Sequence, residues 1–322
     1  MADIDPFDCF GSDDDGDGGD SVSSNKDERF SVDTYQRDPD CGVCSQLNAE
    51  KSLLMHVKNS NCNDDDQDVL SRCKLVQTTI DDFCEKRAWM MHIGPEKGLI
   101  IQDVLKEKLD AFVKANSEDE KSEEKPLFVC VELGTYCGYG SIWLARTLYE
   151  YSKKYTHIDF HLFTVEINPL FAQIAQEITD LCKLNDHVTI LENDLLMSGE
   201  TADVGLLLKE KIKQYSCSKG KDVCLDFLLI DHDKDSYLSD LKILEGHGMI
   251  KEGTVVAADN VIFAQIDNYI SYMKKLDEEG IVSTRTEESF VEYSSPDVSN
   301  NNSKEALFKD GIGKSSYDYI TC

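Results

Sequence analysis

No apolar run in this 322-residue sequence approaches the roughly 18–20 residues needed to span a bilayer, so it offers no transmembrane segment. The first residues, Met1-Ala2-Asp3-Ile4-Asp5, lack the basic-then-apolar order of a secretory signal, and a cytoplasmic protein with reduced thiols is expected. Positive charge is scarce. Against 62 Asp and Glu stand 33 Lys and Arg, a formal net charge of −29 that repels phosphates and excludes nucleic acid as a partner. A compact cysteine framework is also missing: the 12 cysteines are scattered, and Cys130 and Cys224 stand in apolar runs where a thiol serves as a small buried hydrophobe.

What the chain does have is enough apolar residues, 41%, to build a core. They begin late. Residues 1–40 are rich in Asp, Gly and Ser and read as a disordered acidic segment, because so little apolar surface does not offset the entropy of ordering. Asp13, Asp15, Asp17 and Gly18 imitate the start of a calcium loop, but its twelfth position is Ser24 instead of the bidentate Glu, which argues against calcium. Residues 41–74 read as a linker. Within it Cys41-x2-Cys44, His56 and Cys62 have the ligand types and order of a small zinc site, with incidental cysteines as the alternative.

From about residue 75 the pattern becomes that of a folded domain reaching to about residue 310, followed by a tail over 311–322. An amphipathic helix is expected from an N-cap near Thr78-Thr79, then a loop over Gly94-Pro95-Glu96-Lys97-Gly98, then a helix over Leu99–Val113. Apolar strand-like runs next alternate with helical ones. Strands fall at Leu127–Leu133, Phe160–Val165, Val188–Leu191, Leu225–Ile230 and Thr254–Ala258. Near-continuous apolar strands separated by helices predict an α/β fold with a mostly parallel sheet covered on both faces. Ser289–Tyr293 and Glu305–Phe308 would close it with an antiparallel pair.

Open parallel sheets bind ligands beyond the carboxyl ends of their strands. After the first strand comes Gly134-x3-Gly138-x-Gly140, a turn that brings backbone close to a ligand. Its spacing is not the G-x-G-x-x-G that cradles a pyrophosphate, which disfavours a nicotinamide dehydrogenase and favours a phosphate-free adenosine ligand. Glu166, after the second strand, can accept both hydrogen bonds from the two ribose hydroxyls, and Asp194, after the third, can accept one from an adenine amino group.

The fourth strand ends in Ile230-Asp231-His232-Asp233-Lys234-Asp235 and the fifth in Ala258-Asp259-Asn260. On adjacent strands, Asp231, Asp259 and Asn260 would present two carboxylates and an amide oxygen, hard ligands suited to magnesium. Either segment alone reads equally well as helix capping; together they point to a metal. A phenol, with a pKa near ~10, is mostly protonated at neutral pH. Two adjacent hydroxyls can chelate one divalent cation, which lowers their pKa, while a lysine such as Lys234 beside the cation can serve as general base. Glu292, in Ser289-Phe290-Val291-Glu292-Tyr293, can hold a second hydroxyl if it faces the site.

These segments resemble the catechol O-methyltransferase family over roughly three quarters of the chain. The resemblance rests on Ala88-Trp89-Met90-Met91-His92-Ile93-Gly94 with Lys97-Gly98, and on Glu132-Leu133-Gly134-x-Tyr136-Cys137-Gly138-Tyr139. It continues through Val165-Glu166-Ile167-Asn168-Pro169, Asp231-His232-x-Lys234-Asp235-x-Tyr237, Ala258-Asp259-Asn260-Val261-Ile262 and Phe290-Val291-Glu292-Tyr293. It implies a Rossmann-like seven-stranded methyltransferase fold, S-adenosylmethionine as cofactor, and Mg2+ on Asp231, Asp259 and Asn260. It makes Lys234 the base and Glu292 the catechol anchor. Cofactor contacts would come from Ile93, Glu132, Gly134, Tyr136, Ser141, Glu166, Ile167, Asp194 and His232, while Trp89 and Met91 shape the catechol mouth. Departures are Asp233 where the family carries Trp, Gly140 where it carries Ser (with Ser141 adjacent), Leu195-Leu196 in place of Ser-Gln, and Ala264 in place of Pro. Asp233 and Ala264 keep a second acceptor class open, a caffeoyl-type vicinal diol. A different class of reading is a non-catalytic binding module with this fold.

Overall fold

The computed structural model describes residues 35–37, 44–46, 49–60, 67–117, 125–193, 203–216, 223–264, 266–292 and 309–318. Two short strands, Tyr35–Arg37 (β1) and Cys44–Gln46 (β2), pair antiparallel ahead of three helices: Ala49–Asn59 (α1), Val69–Lys86 (α2) and Gly94–Ala115 (α3). An alternating series follows: Leu127–Leu133 (β3), Tyr139–Lys154 (α4), Asp159–Glu166 (β4), Pro169–Cys182 (α5), Val188–Glu192 (β5), Val204–Ser216 (α6), Phe227–Ile230 (β6), Tyr237–Gly246 (α7), Val255–Ala258 (β7) and Asp267–Glu278 (α8). Val282–Phe290 (β8) and Lys309–Tyr317 (β9) end it. The seven-stranded sheet runs β5-β4-β3-β6-β7-β9-β8, with β9 antiparallel to both β7 and β8. The order reverses between β3 and β6, the place where such sheets open a ligand crevice.

The apolar runs form strands because both faces are covered. Phe227-Leu228-Leu229-Ile230 and Val255-Val256-Ala257-Ala258 are buried throughout. One apolar layer joins α1–α5 to one face of the sheet, and a second joins α6–α8 to the other.

Four expectations are corrected. The helix does not begin at Thr78-Thr79: Asp68 caps α2, accepting from the backbone N–H groups of Leu70 and Ser71 (3.0 and 3.1 Å). Thr78 and Thr79 sit inside the helix and return their hydroxyls to the carbonyls of Lys74 and Leu75, a bond that threonine makes without a cap. The expected loop Gly94–Gly98 is the first turn of α3, where Pro95 needs no N–H partner. The stretch read as a linker carries α1, whose Ala49, Leu53 and Val57 are fully buried in the same layer as α2 and α5. The last strand pair is Val282–Phe290 with Lys309–Tyr317, so residues read as a tail are built into the sheet, and Glu292 lies just past a strand end. The expected strand at 305–308 lies outside the described residues. Two glycines make β9 a poor strand by propensity, yet both are needed: a Cβ on Gly311 would lie 2.8 Å from the Glu287 carbonyl and one on Gly313 3.0 Å from Val261.

Of the four possible zinc ligands, Cys41 and Cys62 lie outside the described residues, and His56, on α1, has its ring 5.5 Å from that of Phe83. Among the described residues no group of three or more His, Cys, Asp or Glu is arranged to hold a metal, and no helix is long and apolar enough to cross a membrane.

The turn after β3 is packed hard against the end of β6. Gly134 has φ +99°, and a Cβ there would lie 2.0 Å from the Asp231 carbonyl oxygen. Gly134→Ala is therefore expected to destabilise the protein by about 2–4 kcal/mol, through backbone strain and displaced backbone. Urea unfolding midpoints of variant and parent measure it, and equal midpoints would contradict the close approach.

Candidate active site

The carboxyl ends of β3, β4, β6 and β7 form one rim. Backbone ladders continue one residue beyond the strands: Asp231 N–H donates to the Leu133 carbonyl (2.9 Å) and Asp259 N–H to the Ile230 carbonyl (3.0 Å). Asp231 and Asp259 thus stand side by side on parallel neighbours. Lys234 Nζ donates to Asp231 Oδ1 (3.2 Å) and to the Tyr237 hydroxyl (2.7 Å), and that hydroxyl donates to the Asp259 carbonyl (3.3 Å).

Behind this rim lies a buried cation. Lys97, on α3, is 1% exposed; its ammonium is 2.9 Å from Asp259, 2.7 Å from Glu292 Oε2 and 2.9 Å from Asp310 Oδ2. Burial disfavours its charge, but the three carboxylates outweigh burial and hold the ammonium well above its ordinary pKa. Burial, with repulsion from Asp231, Glu292 and Asp310, drives the Asp259 carboxyl upward against the pull of Lys97. Asp310 behaves oppositely: burial opposes its charge, yet Lys97, the Gly311 N–H and the Asn260 amide hold it below the usual range.

Counted in their ionised forms, Asp231, Asp259, Glu292 and Asp310 are four carboxylates against the ammonium groups of Lys97 and Lys234, a formal excess of two negative charges whose mutual repulsion adds to burial in driving Asp259 upward. Asn260, at φ +59°, spends its amide Nδ2 on Asp310 Oδ2 (2.8 Å), which leaves its oxygen as the end that can face a cation. The donor set of Asp231, Asp259 and Asn260, hard oxygens with this charge excess, fits one divalent cation such as Mg2+.

The glycine turn sits beside it. Gly138 has φ +87° and caps α4, and a Cβ there would meet Ala175 of α5 at 3.2 Å. Tyr136, at φ +48°, donates its N–H to Glu166 Oε2 (2.7 Å) and its hydroxyl to Glu50 of α1 (2.8 Å). Glu166 Oε1 accepts from the N–H groups of Ile167 and Asn168, both at 2.9 Å. Three of the roughly four acceptor positions of this carboxylate are spent on backbone, so it has room for one ribose bond through Oε2 instead of the expected two. Burial raises its pKa to about 7 against those three N–H groups. Glu132 accepts hydroxyl bonds from Ser141 and Thr164, and burial lifts its pKa to about 8. A Cβ on Gly140 would lie 2.5 Å from its Oε1, so glycine leaves room for that carboxylate. Ser141 is turned inward to Glu132, and Ile93, 2% exposed, immediately precedes α3. The His232 ring lies parallel to Tyr237 at 5.2 Å; its Nε2 contacts Asp240 (2.7 Å) and its buried Nδ1 has no partner among the described residues. Asp194 lies outside the described residues.

At the mouth, Trp89 Nε1 donates to the Glu292 carbonyl (2.8 Å), and Met91 is half-buried two residues on.

A family model for a methyltransferase domain matches residues 131–261. Catechol O-methyltransferase of Bos taurus is 31% identical over 226 residues, 70% of this chain and 66% of that protein. Catechol O-methyltransferase B of Danio rerio is 33% identical over 222 residues, 69% of this chain and 67% of that protein. The chain belongs to the catechol O-methyltransferase family. It spans about two thirds of the length of these two relatives. The chain is also similar to the Transmembrane O-methyltransferase of Homo sapiens, 30% identical over 62% of this chain and 55% of that protein.

Against the expectations for a catechol O-methyltransferase, the structure gathers Asp231, Lys234, Asp259, Asn260 and Glu292 with Trp89 close by, and Glu132, Gly134, Tyr136, Ser141 and Glu166 around the adjoining turn. Lys97, Asp310 and Tyr237 had been given no role. For Lys97 a signal existed: it lies four residues before Ile101 and seven before Val104, on the buried stripe of α3, where a lysine needs buried partners. Asp310 carried none, since it reaches the site only through the pairing of β9.

The neutral Glu132 carboxyl has a testable consequence. With its folded pKa near 8 and an unfolded value near 4.5, the native state holds the extra proton between those limits, so stability falls as pH rises through that window. Glu132→Gln, neutral throughout, should gain stability relative to the unliganded parent between pH 5 and pH 8. Urea midpoints at the two pH values decide it; a constant difference would contradict the assignment.

Proposed function

We propose that this chain transfers the methyl group of S-adenosylmethionine to one hydroxyl of a catechol and requires Mg2+. What supports the reading most is the meeting, at one rim, of a hard-oxygen donor set with a formal excess of two negative charges, a lysine beside it, and a glycine turn whose spacing is not that of a pyrophosphate cradle. The ion, when bound between Asp231, Asp259 and Asn260, supplies positive charge that favours an ionised hydroxyl.

The chain's own residues do the rest. Lys234, held by Asp231 and Tyr237, acts as a neutral amine once the charge of the bound ion replaces that of its ammonium beside Asp231, and in that form takes the proton of the hydroxyl to be methylated. Glu292, anchored by Lys97 and followed through its carbonyl by Trp89, holds the neighbouring hydroxyl. Trp89 and Met91 wall the acceptor ring. Glu166 receives one ribose hydroxyl, with Ile167 and His232 toward the adenine. Ile93, Gly134 and Tyr136 line the methionine side, where the Glu132 carboxyl, neutral in the unliganded protein, ionises against the cofactor's ammonium. Methyl transfer from a sulfonium is an in-line displacement, so fixing the oxygen opposite the leaving sulfur is itself rate-enhancing.

Incubation with methyl-labelled S-adenosylmethionine, Mg2+ and a panel of dopamine-like and caffeate-like acceptors tests this. Label should enter catechols, with faster turnover on the dopamine-like set, and chelation should stop it. Lys234→Ala and Asp231→Ala should each lower kcat at least ~100-fold with circular dichroism unchanged. A folded parent that methylates no diol, or full activity in both variants, would end the proposal.

A further inference from the structure

The buried cluster behind the rim is an unusual use of charge. Lys97 reaches one point from α3 and meets carboxylates that follow β7, follow β8 and sit on β9. Asp310 is wholly buried and Asp259 and Lys97 nearly so. Replacing such a buried ionic group by apolar side chains of similar volume is often neutral or stabilising, so stability alone is a weak reason for it.

Its contacts point elsewhere. Asp310 Oδ2 accepts from both Lys97 Nζ (2.9 Å) and Asn260 Nδ2 (2.8 Å), while Oδ1 accepts the Phe263 N–H (3.2 Å). A carboxylate only accepts, so the end of the Asn260 amide that turns to Asp310 has to be the NH2 end. The Lys97 ammonium donates to the same Asp310 oxygen that receives the Asn260 amide, so both donors converge on one acceptor. The same ammonium contacts Asp259 and Glu292, which fixes the neighbouring carboxylates relative to that amide.

We propose that Lys97 and Asp310 are positioning residues for the cation and the acceptor: Asp310 orients the Asn260 amide with its oxygen toward the cation, and Lys97 ties Asp259, Glu292 and Asp310 into one unit. The inference rests on the metal reading above. Partners that stand behind metal ligands and orient them characteristically change metal affinity by about 10–100-fold when removed.

Mg2+ and S-adenosylmethionine affinities of parent, Asp310→Asn and the swap Asn260→Asp/Asp310→Asn, each checked for folding by circular dichroism, provide the test by isothermal titration. Asp310→Asn should weaken Mg2+ binding about tenfold or more and leave S-adenosylmethionine affinity within twofold, whereas general loosening of the fold would move both. The swap exchanges donor and acceptor at unchanged charge, and should bind Mg2+ within about threefold of the parent. Should Asp310→Asn not fold, a folded swap that binds Mg2+ this well supports the pairing, and failure of both to fold or bind overturns it. A parent that binds Mg2+ beside an Asp310→Asn of equal affinity overturns the positioning role alone. A parent that binds no Mg2+ overturns the metal reading and this inference with it.

Discussion

Everything at the active end of this molecule is arranged around buried negative charge that the protein's own cations do not neutralise. Four carboxylates converge where β6, β7 and β8 end and β9 passes, and among the described residues only Lys97 and Lys234 answer them. Charge so poorly solvated is costly unless it is paired. One divalent ion would complete the balance, and the geometry of the rest, from the hydroxyl of Tyr237 to the left-handed backbone of Asn260, holds the oxygens in place around it.

That rim is mechanically joined to the glycine turn. Gly134 touches the Asp231 carbonyl so closely that no side chain fits, and the Glu132 carboxyl occupies the space that a side chain at position 140 would need. Tyr136 carries the connection further, its amide on Glu166 and its hydroxyl on Glu50 of α1. The two halves of the proposed reaction, a methyl donor and an ionised oxygen, are thereby set against each other by one close backbone approach and by buried side chains held in hydrogen bonds, which is the requirement of an in-line transfer.

Much of this was legible in the sequence because parallel strands buried on both faces leave an unmistakable mark. Val255-Val256-Ala257-Ala258 followed by Asp259-Asn260 announces both the strand and its reactive end. The polar strands were harder to read. Val282–Phe290 is mostly exposed, and Lys309–Tyr317 contains two glycines, so neither has the period-two apolar pattern that marks a half-buried strand. With β9 misplaced, Asp310 stayed hidden, and with it the reason for a lysine on the buried stripe of α3. The start of α2 was misjudged for a local reason: threonines that bond back to their own helix look the same in sequence as threonines that cap one.

The central claim is that a single divalent ion sits between the ends of β6 and β7. Anomalous diffraction from crystals of the full chain soaked in Mn2+ addresses it directly. The account predicts one strong peak within about 2.0–2.4 Å of oxygens from Asp231, Asp259 and Asn260. Density that places the ion elsewhere, or finds none at that rim with the protein intact, would contradict it.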